Sequence, residues 1–445
     1  MPRLAAFELL RSGVPTPSRE IDRIAKERGL APRDRALLRR LVGTEVRRRG
    51  TLRALVRHLA HRKTSPELCA HLHLGLVQAF FLDRIPDHAL VSETLRAVHD
   101  TLGPSKVRFV NAVLREALRL RQAGHSGDPR RDLVGRQLHL AVPVFHDPQE
   151  HPLLWAEEAL SLPAPLYKRW VARHGAELAR SLAIQALDEP PLSLRATDPA
   201  QRDALLAELC ADTLRPRPGA HPALLLVPSD ETESAVHSTA FRAGRLTVQG
   251  ETALRAAEAV EARPGERVLD LCAAPGGKTA VLAGAGARVV ACDSSADRLE
   301  RVRSTLERLR LAERVELALS DGTAALREEL FDAVLVDAPC TNTGVLAARP
   351  EARWRFGPAH KQALAALQRR LLEQGAARVR PGGRLVWSTC ALDPDENRRR
   401  VDAFLPQHPG WTLEAEAESL PDTSTTQSAG AGPVDGGYWA RLRRA

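Results

Sequence analysis

The chain is poor in cysteine, in lysine and in long apolar runs, and each shortage narrows the class of protein. Six cysteines in 445 residues, none in a Cys-x-x-Cys pair, indicate neither a disulfide framework nor a metal site. No run of about 18 apolar residues is present, which excludes a membrane-spanning helix. Residues 1–11 lack the pattern of a secretory signal, so we expect a cytoplasmic protein.

Positive charge is abundant but uneven along the chain. The sequence holds 64 Lys and Arg, only six of them Lys, against 55 Asp and Glu, for a net charge of +9. Residues 1–131 hold 26 basic and 13 acidic residues, whereas the remaining 314 residues hold 38 and 42. A basic front end on a near-neutral body favours a nucleic-acid partner. The alternative interpretation of this charge is a solvated protein surface whose arginine content reflects genomic composition.

Several domains are expected from 445 residues, since a typical domain has about 100–150. Residues 1–131 show helical apolar spacing and predict an all-helical domain. Residues 132–151 have the composition of a linker, and residues 152–260 mix short helices and strands as a small α+β region. Residues 261–445 alternate strands and helices, which predicts a mostly parallel α/β sheet. The strands expected in that last region are 267–271, 288–292, 315–319, 333–337, 384–388 and 438–442.

A glycine-containing loop, DLCAAPGGKT (270–279), follows the first of these strands and opens a helix. Gly276 and Gly277 permit a tight turn and close approach of a ligand to the backbone. The loop matches neither the dinucleotide fingerprint nor the phosphate-binding loop with its Gly-Lys-Ser/Thr ending. It is therefore a candidate binding loop for another kind of nucleotide-like cofactor.

Carboxylates end the successive strands of the predicted sheet, namely Asp270, Asp293, Asp321 and Asp337. Open α/β sheets bind ligands at this edge, where an acidic residue accepts hydrogen bonds from ribose hydroxyls. Such an edge suits a cofactor with a ribose and a cationic centre and discourages phosphates, so S-adenosylmethionine fits better than NAD or ATP. For each aspartate alone, a helix cap or loop residue is the competing interpretation.

Two cysteines also lie at predicted strand ends, Cys340 in DAPC (337–340) and Cys390 in STC (388–390). Neighbouring strand ends bring both thiols to one crevice beside the proposed methyl donor. A lone cysteine is most often a small buried apolar residue, and we interpret Cys69, Cys210 and Cys292 in that way.

At these motifs the sequence resembles the RNA (cytosine-5) methyltransferases of the Sun/RsmB/Nop2 family. The resemblance extends over nearly the whole chain. FVNAVLR and the helices before it resemble the NusB-like RNA-binding domain of the bacterial RsmB branch. The matching segments are FVNAVLR (109–115), PPLSLR (190–195), LTVQ (246–249), DLCAAPGGKT (270–279), DAPC (337–340), STC (388–390) and DGGYWAR (435–441).

The resemblance implies a Rossmann-like S-adenosylmethionine-dependent methyltransferase sheet preceded by an all-helical NusB-like domain. It implies that Cys390 is the nucleophile, that Cys340 acts in product release and that Asp337 lies at the base and the cofactor. The cofactor-binding residues that it implies are Cys272, Ala273, Ala274, Pro275, Gly276, Gly277, Lys278, Asp293, Arg298, Asp321 and Asp337.

The thiolate is required because C5 of cytosine is too weak a nucleophile to take a methyl group. Addition of a thiolate to C6 makes C5 enamine-like, and a carboxyl group near N3 stabilises the developing charge. After methyl transfer the C5 proton leaves and the thiolate is expelled, a step that a second thiol can assist.

Three positions depart from the family pattern. Thr341-Asn342 stand where Ser-Gly or Ser-Ala is usual, Ala347-Ala348 replace two arginines, and Gly250 replaces an aspartate. These changes affect the RNA contacts of the loop after Cys340. The substitute cations available there are Arg349, Arg353 and Arg355.

The leading hypothesis is a monomeric enzyme that methylates C5 of a cytosine in small-subunit ribosomal RNA. The target base must be unstacked for Cys390 to reach C6. Two alternatives are a transfer-RNA methyltransferase and a non-catalytic RNA-binding assembly factor. The candidate phosphate contacts on the front domain are Arg39, Arg40, Arg47, Arg48 and Arg49. The alternative is that these arginines form a solvated helix face.

Overall fold

The computed structural model describes residues 2–83, 85–320, 330–423 and 434–445. The chain divides into two compact units. The first unit contains residues 1–188 and, later in the chain, the short segment 350–356; the second contains residues 189–349 and 357–445.

Helices dominate the front of the chain, whereas strands dominate its second half. Within the described residues the α-helices are Pro2–Arg11 (α1), Pro17–Glu27 (α2), Pro32–Ala60 (α3), Pro66–Phe81 (α4), Asp87–Leu102 (α5), Pro104–Leu120 (α6), Pro152–Ala159 (α7), Ala164–His174 (α8), Ala176–Gln185 (α9), Arg202–Ala211 (α10), Thr232–Val236 (α11), Thr239–Arg242 (α12), Glu251–Glu258 (α13), Gly277–Gly284 (α14), Ala296–Arg308 (α15), Ala352–Arg355 (α16), Pro358–Ala377 (α17) and Arg398–Phe404 (α18).

The strands form three sheets. In chain order they are Arg121–Ala123 (β1), Leu138–Leu140 (β2), Leu192–Ala196 (β3), Arg217–Pro218 (β4), Leu224–Val227 (β5), Leu246–Val248 (β6), Arg267–Asp270 (β7), Arg288–Asp293 (β8), Val315–Leu319 (β9), Phe331–Asp337 (β10), Val379–Thr389 (β11), Trp411–Ser419 (β12) and Gly437–Arg444 (β13).

The first unit is a helical bundle whose prolines mark helix starts. Pro66 and Pro104 are the first residues of α4 and α6, where a missing N–H costs nothing. The Ser65 side chain caps α4 by accepting a hydrogen bond from the N–H of Leu68. Apolar residues from α1, α3 and α4, among them Leu38, Leu55 and Leu76, are completely buried.

Three arginines are buried inside this unit. Arg353, with no exposed surface, donates to the carbonyl oxygens of Arg47, Ser161 and Ala186, the last at 2.6 Å. Arg47 and Arg48 are only 8% and 5% exposed, and Arg48 donates to the carbonyl of Val134 at 2.7 Å. Burial lowers the pKa of Arg48 to about 10 and that of Arg353 to about 9. Arg47, Arg48 and Arg353 are therefore not the solvent-facing phosphate contacts that we considered; Arg39 and Arg40 are exposed.

The stretch with linker composition belongs to the first unit. Strands β1 and β2 pair in an antiparallel hairpin, and Leu133, Leu140 and Phe145 are buried. The indole N–H of Trp155 in α7 donates to the carbonyl of Pro129 at 2.9 Å. The four-part domain division remains a prediction, and the structure adds that the segment after residue 131 packs within its unit.

The second unit is built around a seven-stranded sheet in the order β12-β13-β11-β10-β7-β8-β9. Strands β11, β10, β7, β8 and β9 are parallel, and β13 runs antiparallel to both β11 and β12. Buried residues on both faces, such as Val334 and Leu335 of β10, account for the continuous apolar runs of these strands. The strand order reverses between β7 and β10, so the crevice that binds ligands in open sheets lies there.

A smaller antiparallel sheet, β4-β5-β3-β6, precedes it within the same unit. Its core contains Leu194, Leu225 and Leu246 together with Leu205 and Leu209 of α10. The predicted fold class is confirmed, with a helical front, a small α+β region and a Rossmann-like sheet, although the pairing of β1 with β2 means that the front is not all-helical. No helix among the described residues is long and apolar enough to cross a membrane.

Two strands of the large sheet differ clearly from the sequence prediction, and four short strands elsewhere, β1, β2, β4 and β6, were not predicted. Strand β11 begins at Val379 rather than Arg384, because residues 380–383 are accommodated in an irregularity between two stretches of pairing with β10. Strand β12 (WTLEAEAES) was not predicted, because its glutamates and alanines have low strand propensity. It lies at the edge of the sheet, where half-buried and exposed positions alternate. Of the predicted loop 421–435, residues 424–433 lie outside the described part of the chain.

Helices α3 and α7 approach each other closely, and a substitution at the contact tests how tightly the bundle is packed. A Cβ at Gly50 would lie 1.9 Å from the carbonyl oxygen of Glu157. We expect Gly50→Ala to destabilise the first unit by about 1–3 kcal/mol, although alanine is the better helix former. Thermal unfolding measures the effect. Gly284→Ala in α14 is the matched control, since nothing lies within 4 Å of its Cβ position; equal melting of the two variants would contradict the packing argument.

Candidate active site

The loop between β7 and α14 makes a sharp turn at the edge of the large sheet. Gly276 has φ +99°, a left-handed conformation that a side chain disfavours, and a Cβ there would lie 3.2 Å from Cγ1 of Val302. Gly277 begins α14, whose first N–H groups have no partner within the helix. Gly276 thus packs closely against Val302, and α14 begins at the next residue, as the sequence pattern predicts.

Asp270, the last residue of β7, is completely buried below this loop. Its Oδ2 accepts a hydrogen bond from Oγ1 of Thr279 at 2.8 Å. Burial raises the pKa of Asp270 to about 7, and the charge of Asp337 acts in the same direction, whereas the Thr279 hydrogen bond opposes it. Among the strand-end carboxylates, Asp270 therefore holds the loop rather than facing a ligand, a distinction that the sequence pattern alone does not reveal.

Asp293 ends β8 and is held by three groups. Its Oδ1 accepts from the N–H of Ser295 at 3.1 Å and lies 2.6 Å from Nη2 of Arg298, while the N–H of Ala274 lies 3.4 Å from Oδ2. The structure thus brings together three parts of the predicted cofactor site: the loop, Asp293 and Arg298. Asp321, the fourth predicted part, lies outside the described residues.

Lys278 and Asp337 form a shielded ion pair between α14 and the end of β10. Nζ of Lys278 lies 2.7 Å from Oδ2 of Asp337, and Oγ of Ser388 donates to Oδ1 at 3.0 Å. Burial alone would lower the pKa of Lys278, but the charge and hydrogen bond of Asp337 outweigh it and raise this pKa. The cofactor loop and the DAPC motif therefore meet through opposite charges.

The two predicted thiols lie side by side. Sγ of Cys340 is 3.2 Å from Sγ of Cys390, and both cysteines are free. The hydrogen bond from the Cys340 thiol lowers the pKa of Cys390; burial opposes this shift, and the charge of Arg349 supports it. The pKa of Cys340 is raised by the same hydrogen bond and by burial. Cys390 is thus the sulfur that carries negative charge most readily.

Two further cysteines of this unit, Cys272 and Cys292, differ from that pair. Burial, reinforced by nearby carboxylates, raises the pKa of both Cys272 and Cys292. Cys292 is completely buried within β8, whereas Cys272 belongs to the cofactor loop. Both thiols stay protonated, in agreement with a structural role for their side chains.

Asn342, one of the departures from the family pattern, contacts the nucleophile candidate. Its φ of +58° is a conformation that asparagine tolerates better than most residues. Nδ2 donates to the carbonyl of Cys340 at 2.6 Å, while Oδ1 accepts from Arg349 Nη1 at 2.7 Å and lies 3.3 Å from Sγ of Cys390. Arg349 therefore does reach this site, through an amide that sequence reasoning treated only as a deviation.

A buried polar network fixes the loops that carry the cysteines. Glu396 accepts from the N–H of Thr341 and from Nε2 of Gln368, both at 2.9 Å, and its carbonyl accepts from the indole of Trp387. Burial raises the pKa of Glu396. Asn397 donates to the carbonyl of Ala391 at 2.9 Å, just beyond Cys390. Glu396 and Asn397 were not predicted, because a buried partner of a distant loop leaves no local sequence signal.

Gly250, another of the departures, has a simple packing explanation. Asp435 occupies the space beside Gly250, where a Cβ would lie 2.0 Å from Oδ2 of Asp435. Oδ1 of Asp435 accepts from the N–H of Thr252, which connects the start of α13 to the closing strand. Arg355, like Arg353, belongs to the first unit.

These residues fit a ligand with ribose hydroxyls and a positive centre. Asp293 and Asp337 place carboxylates on either side of the loop 272–278, at the carboxyl edge of β8 and β10. Lys278 is paired with Asp337 and Arg298 with Asp293, but each carboxylate oxygen has more than one lone pair, so the edge keeps acceptors for hydroxyls.

Models of two protein families match the chain. The model described as 16S rRNA methyltransferase RsmB/F matches residues 257–439, and the model of the NusB family matches residues 2–119. The first covers the large sheet and both cysteines, and the second covers the helical bundle.

Relatives of the chain match nearly its full length. A protein of Vibrio cholerae named ribosomal RNA small subunit methyltransferase B is 32% identical, over 94% of this chain and 92% of the relative. A protein of the same name from Xanthomonas campestris is 33% identical, over 93% of this chain and 90% of the relative.

Solved structures share the fold. The crystal structure of PH0851 is 22% identical with a TM-score of 0.77, and it covers 100% of this chain and 99% of its own. NSun6 from Pyrococcus horikoshii is 20% identical with a TM-score of 0.53, over 63% of this chain and 98% of its own. Taken together with the site, these matches show that the chain belongs to the 16S rRNA methyltransferase RsmB/F family and that its cofactor is S-adenosyl-L-methionine.

Proposed function

We propose that this protein methylates C5 of a cytosine in small-subunit ribosomal RNA through a covalent bond between Cys390 and C6 of the base. The observation that carries the proposal is the pair of thiols, 3.2 Å apart, at the ends of neighbouring parallel strands. The names of the relatives support ribosomal RNA as the substrate, and the basic excess of residues 1–131 supports an RNA partner.

Cys390 is the nucleophile of this mechanism. Attack on C6 requires a thiolate, and the thiol of Cys340 donates a hydrogen bond to it while Arg349 and Lys278 contribute positive charge. The new S–C6 bond pushes electrons toward N3 and C5. In this way the Cys390 side chain turns C5 into an enamine-like carbon able to take a methyl group.

Asp337 is positioned to hold the base during this addition. Lys278 and Ser388 occupy its two oxygens from the protein side, which fixes the direction of the carboxyl group. We assign Asp337 to the N3 and N4 edge of the cytosine, where it orients the ring. Lys278 offsets the negative charge that develops beside N3.

The cofactor site lies on the other side of the same ion pair. S-adenosyl-L-methionine, when bound, supplies an electrophilic methyl group. Asp293 accepts from the ribose hydroxyls, Arg298 steadies Asp293, and the backbone of residues 272–278 approaches the ligand. Asp321 is assigned to the adenine amino group on the sequence pattern alone.

Release of the product uses the second thiol. Once the C5 proton has left to a base, the electrons return to form the C5–C6 double bond and the S–C6 bond breaks. The Cys340 thiol, 3.2 Å from the departing sulfur, donates a hydrogen bond that stabilises the Cys390 thiolate as it leaves. The raised pKa of Cys340 keeps this donor protonated.

Replacement of each thiol separates the two roles. We expect Cys390→Ala to lower methyl transfer to unmodified small-subunit rRNA on the order of 10³-fold or more, since the nucleophile is lost. We expect Cys340→Ala to accumulate a protein–RNA adduct, seen as a shifted band on a denaturing gel. Cys210→Ala, an exposed cysteine in α10, is the control. Full activity of Cys390→Ala would refute the mechanism, and methylation of transfer RNA alone would refute the substrate.

The charge state of Cys390 can be measured without RNA. We expect its alkylation by iodoacetamide to rise with pH around a midpoint below the ordinary cysteine value of about 8.5, because its pKa is lowered. In Cys340→Ala this midpoint moves upward, since the hydrogen bond to the thiolate is gone. Peptide mass spectrometry follows each cysteine, with the exposed Cys210 as internal reference. A Cys390 midpoint above that of Cys210 would contradict the assignment.

Asp293 provides a test of the cofactor site. We expect Asp293→Asn to weaken S-adenosyl-L-methionine binding by about tenfold or more, because a charged acceptor is removed and Arg298 loses its partner. Isothermal titration with the cofactor alone gives the affinity. Asp297→Asn, an exposed carboxylate four positions further on, is the matched control. Unchanged affinity in Asp293→Asn would remove this residue from the site.

A further inference from the structure

The helical first unit contains a cavity of about 430 Å³ that methyl transfer does not use. One wall is apolar and comes from the end of α1 and the start of α2, with Leu9, Val14 and Pro17. The facing wall comes from α3, α4 and the segment 350–356. All the residues that line this cavity belong to the first unit. A volume of this size lies within the range of about 300–1,000 Å³ typical of small-ligand sites.

A fixed charged network forms part of the cavity wall. Glu45, 3% exposed, accepts from Arg49 at 2.8 Å and contacts Nδ1 of His73 at 2.9 Å. Burial raises the pKa of Glu45, but His73 and Arg49 outweigh this effect and lower it to about 2. The carboxylate is thus permanently charged and fully engaged. Its effect is to hold the Arg49 guanidinium in one orientation at the cavity.

An aromatic ring lies beside that network. The indole N–H of Trp354 donates to the carbonyl of Val46 at 2.7 Å, which fixes the ring. The guanidinium carbons of Arg49 and Arg53 lie 5.8 and 5.3 Å from the ring centroid. Arg53 is exposed, and Arg355 lines the same cavity with a buried Nε that has no hydrogen-bond partner in the described part of the chain. Arginines, an indole and an apolar wall therefore line one cavity, together with the buried carboxylate of Glu351.

This combination matches the chemistry of a nucleotide. Single-stranded RNA is held where bases pack against aromatic or guanidinium planes and phosphates meet cations. An acidic ligand without a ring would leave the apolar wall unfilled, and a purely apolar ligand would give the buried Nε of Arg355 no hydrogen-bond acceptor. We propose that the cavity takes one unpaired nucleotide of the RNA substrate, with its base against Trp354 and the apolar wall and its phosphate at Arg53 and Arg355.

The inference rests on the proposed function in one respect, that the substrate is RNA. It adds a second point at which the RNA is read, on the helical unit and apart from the cytosine that reacts with Cys390. The segment with Trp354 begins directly after Arg349, the residue that hydrogen-bonds Asn342 beside the nucleophile. Recognition of a distant nucleotide would therefore select among cytosines without any new contact to the reacting base.

Two variants test the site by different means. Arg53→Glu reverses an exposed charge, and Ala70→Trp fills the cavity from α4 without a change in charge. With unmodified small-subunit rRNA and the full-length protein, we expect each to raise the RNA dissociation constant about tenfold. At saturating RNA, kcat stays within about twofold of the unmodified protein, because the cysteine site is intact. Arg33→Glu, an exposed charge reversal on the same helix α3, is the control and should change affinity less than about threefold.

Crosslinking locates the nucleotide directly. RNA containing 4-thiouridine should crosslink to peptides of α4 or of residues 350–356 in the unmodified protein, and this crosslink should disappear in Ala70→Trp. Circular dichroism and thermal unfolding confirm that each variant is folded. Equal RNA affinity of Ala70→Trp and the unmodified protein, with an unchanged crosslink pattern, would overturn the proposal.

The result is separable from a failure of the proposed function. If the protein methylates rRNA and Ala70→Trp does so with the same KM, only the cavity proposal fails. If the crosslink forms but no 5-methylcytosine is produced, the cavity proposal stands and the reaction proposal fails. If Arg53→Glu weakens RNA binding and Ala70→Trp does not, Arg53 is a phosphate contact at the surface. That result would overturn the proposal that the cavity is a nucleotide site.

Discussion

The parallel pairing of β10 with β11 is the constraint on which the candidate site depends. Asp337 is paired directly with Ser388, so the two strands end together and both motifs enter the same crevice. The hydrogen bond from Ser388 to Asp337 and the contact between the two sulfurs follow from that register. A shift of one residue would turn the side chains of one strand to the other face of the sheet and separate every one of these groups.

The register of β10 and β11 does not by itself fix the loops that follow these strands and carry Cys340 and Cys390. Glu396 and Asn397 satisfy backbone groups in the two cysteine loops from a position that is nearly inaccessible to solvent. Buried polar groups are costly unless every partner is present, and then they fix one geometry. The two sulfurs thus lie in loops whose conformation is determined by buried side chains. Lys278 connects the glycine turn to the motif that contains Cys340 through its ion pair with Asp337.

Much of this arrangement could be read from the sequence, because its signals are local. Strand-end positions predicted that Cys340 and Cys390 would meet and that Asp293 and Asp337 would flank the glycine loop. The sequence predictions were wrong where tertiary contacts override the local sequence pattern. Arg47 and Arg48 look like a basic surface run but are buried, and Arg48 has a backbone and an aromatic partner. Asn342 looked like a loss of family pattern, yet its left-handed conformation and amide connect Arg349 to Cys390.

The short segment 350–356 has a consequence for how such a protein can be divided. The chain leaves the helical unit after residue 188, returns to it for seven residues, and leaves again. Arg353 donates to three carbonyls of that unit and Trp354 to a fourth. A single cut between residues 189 and 349 therefore leaves one piece with carbonyls that lack a partner and the other with a normally buried arginine in water. The front of the protein is thus not a detachable module, and recombination with other catalytic domains requires two exchanges rather than one.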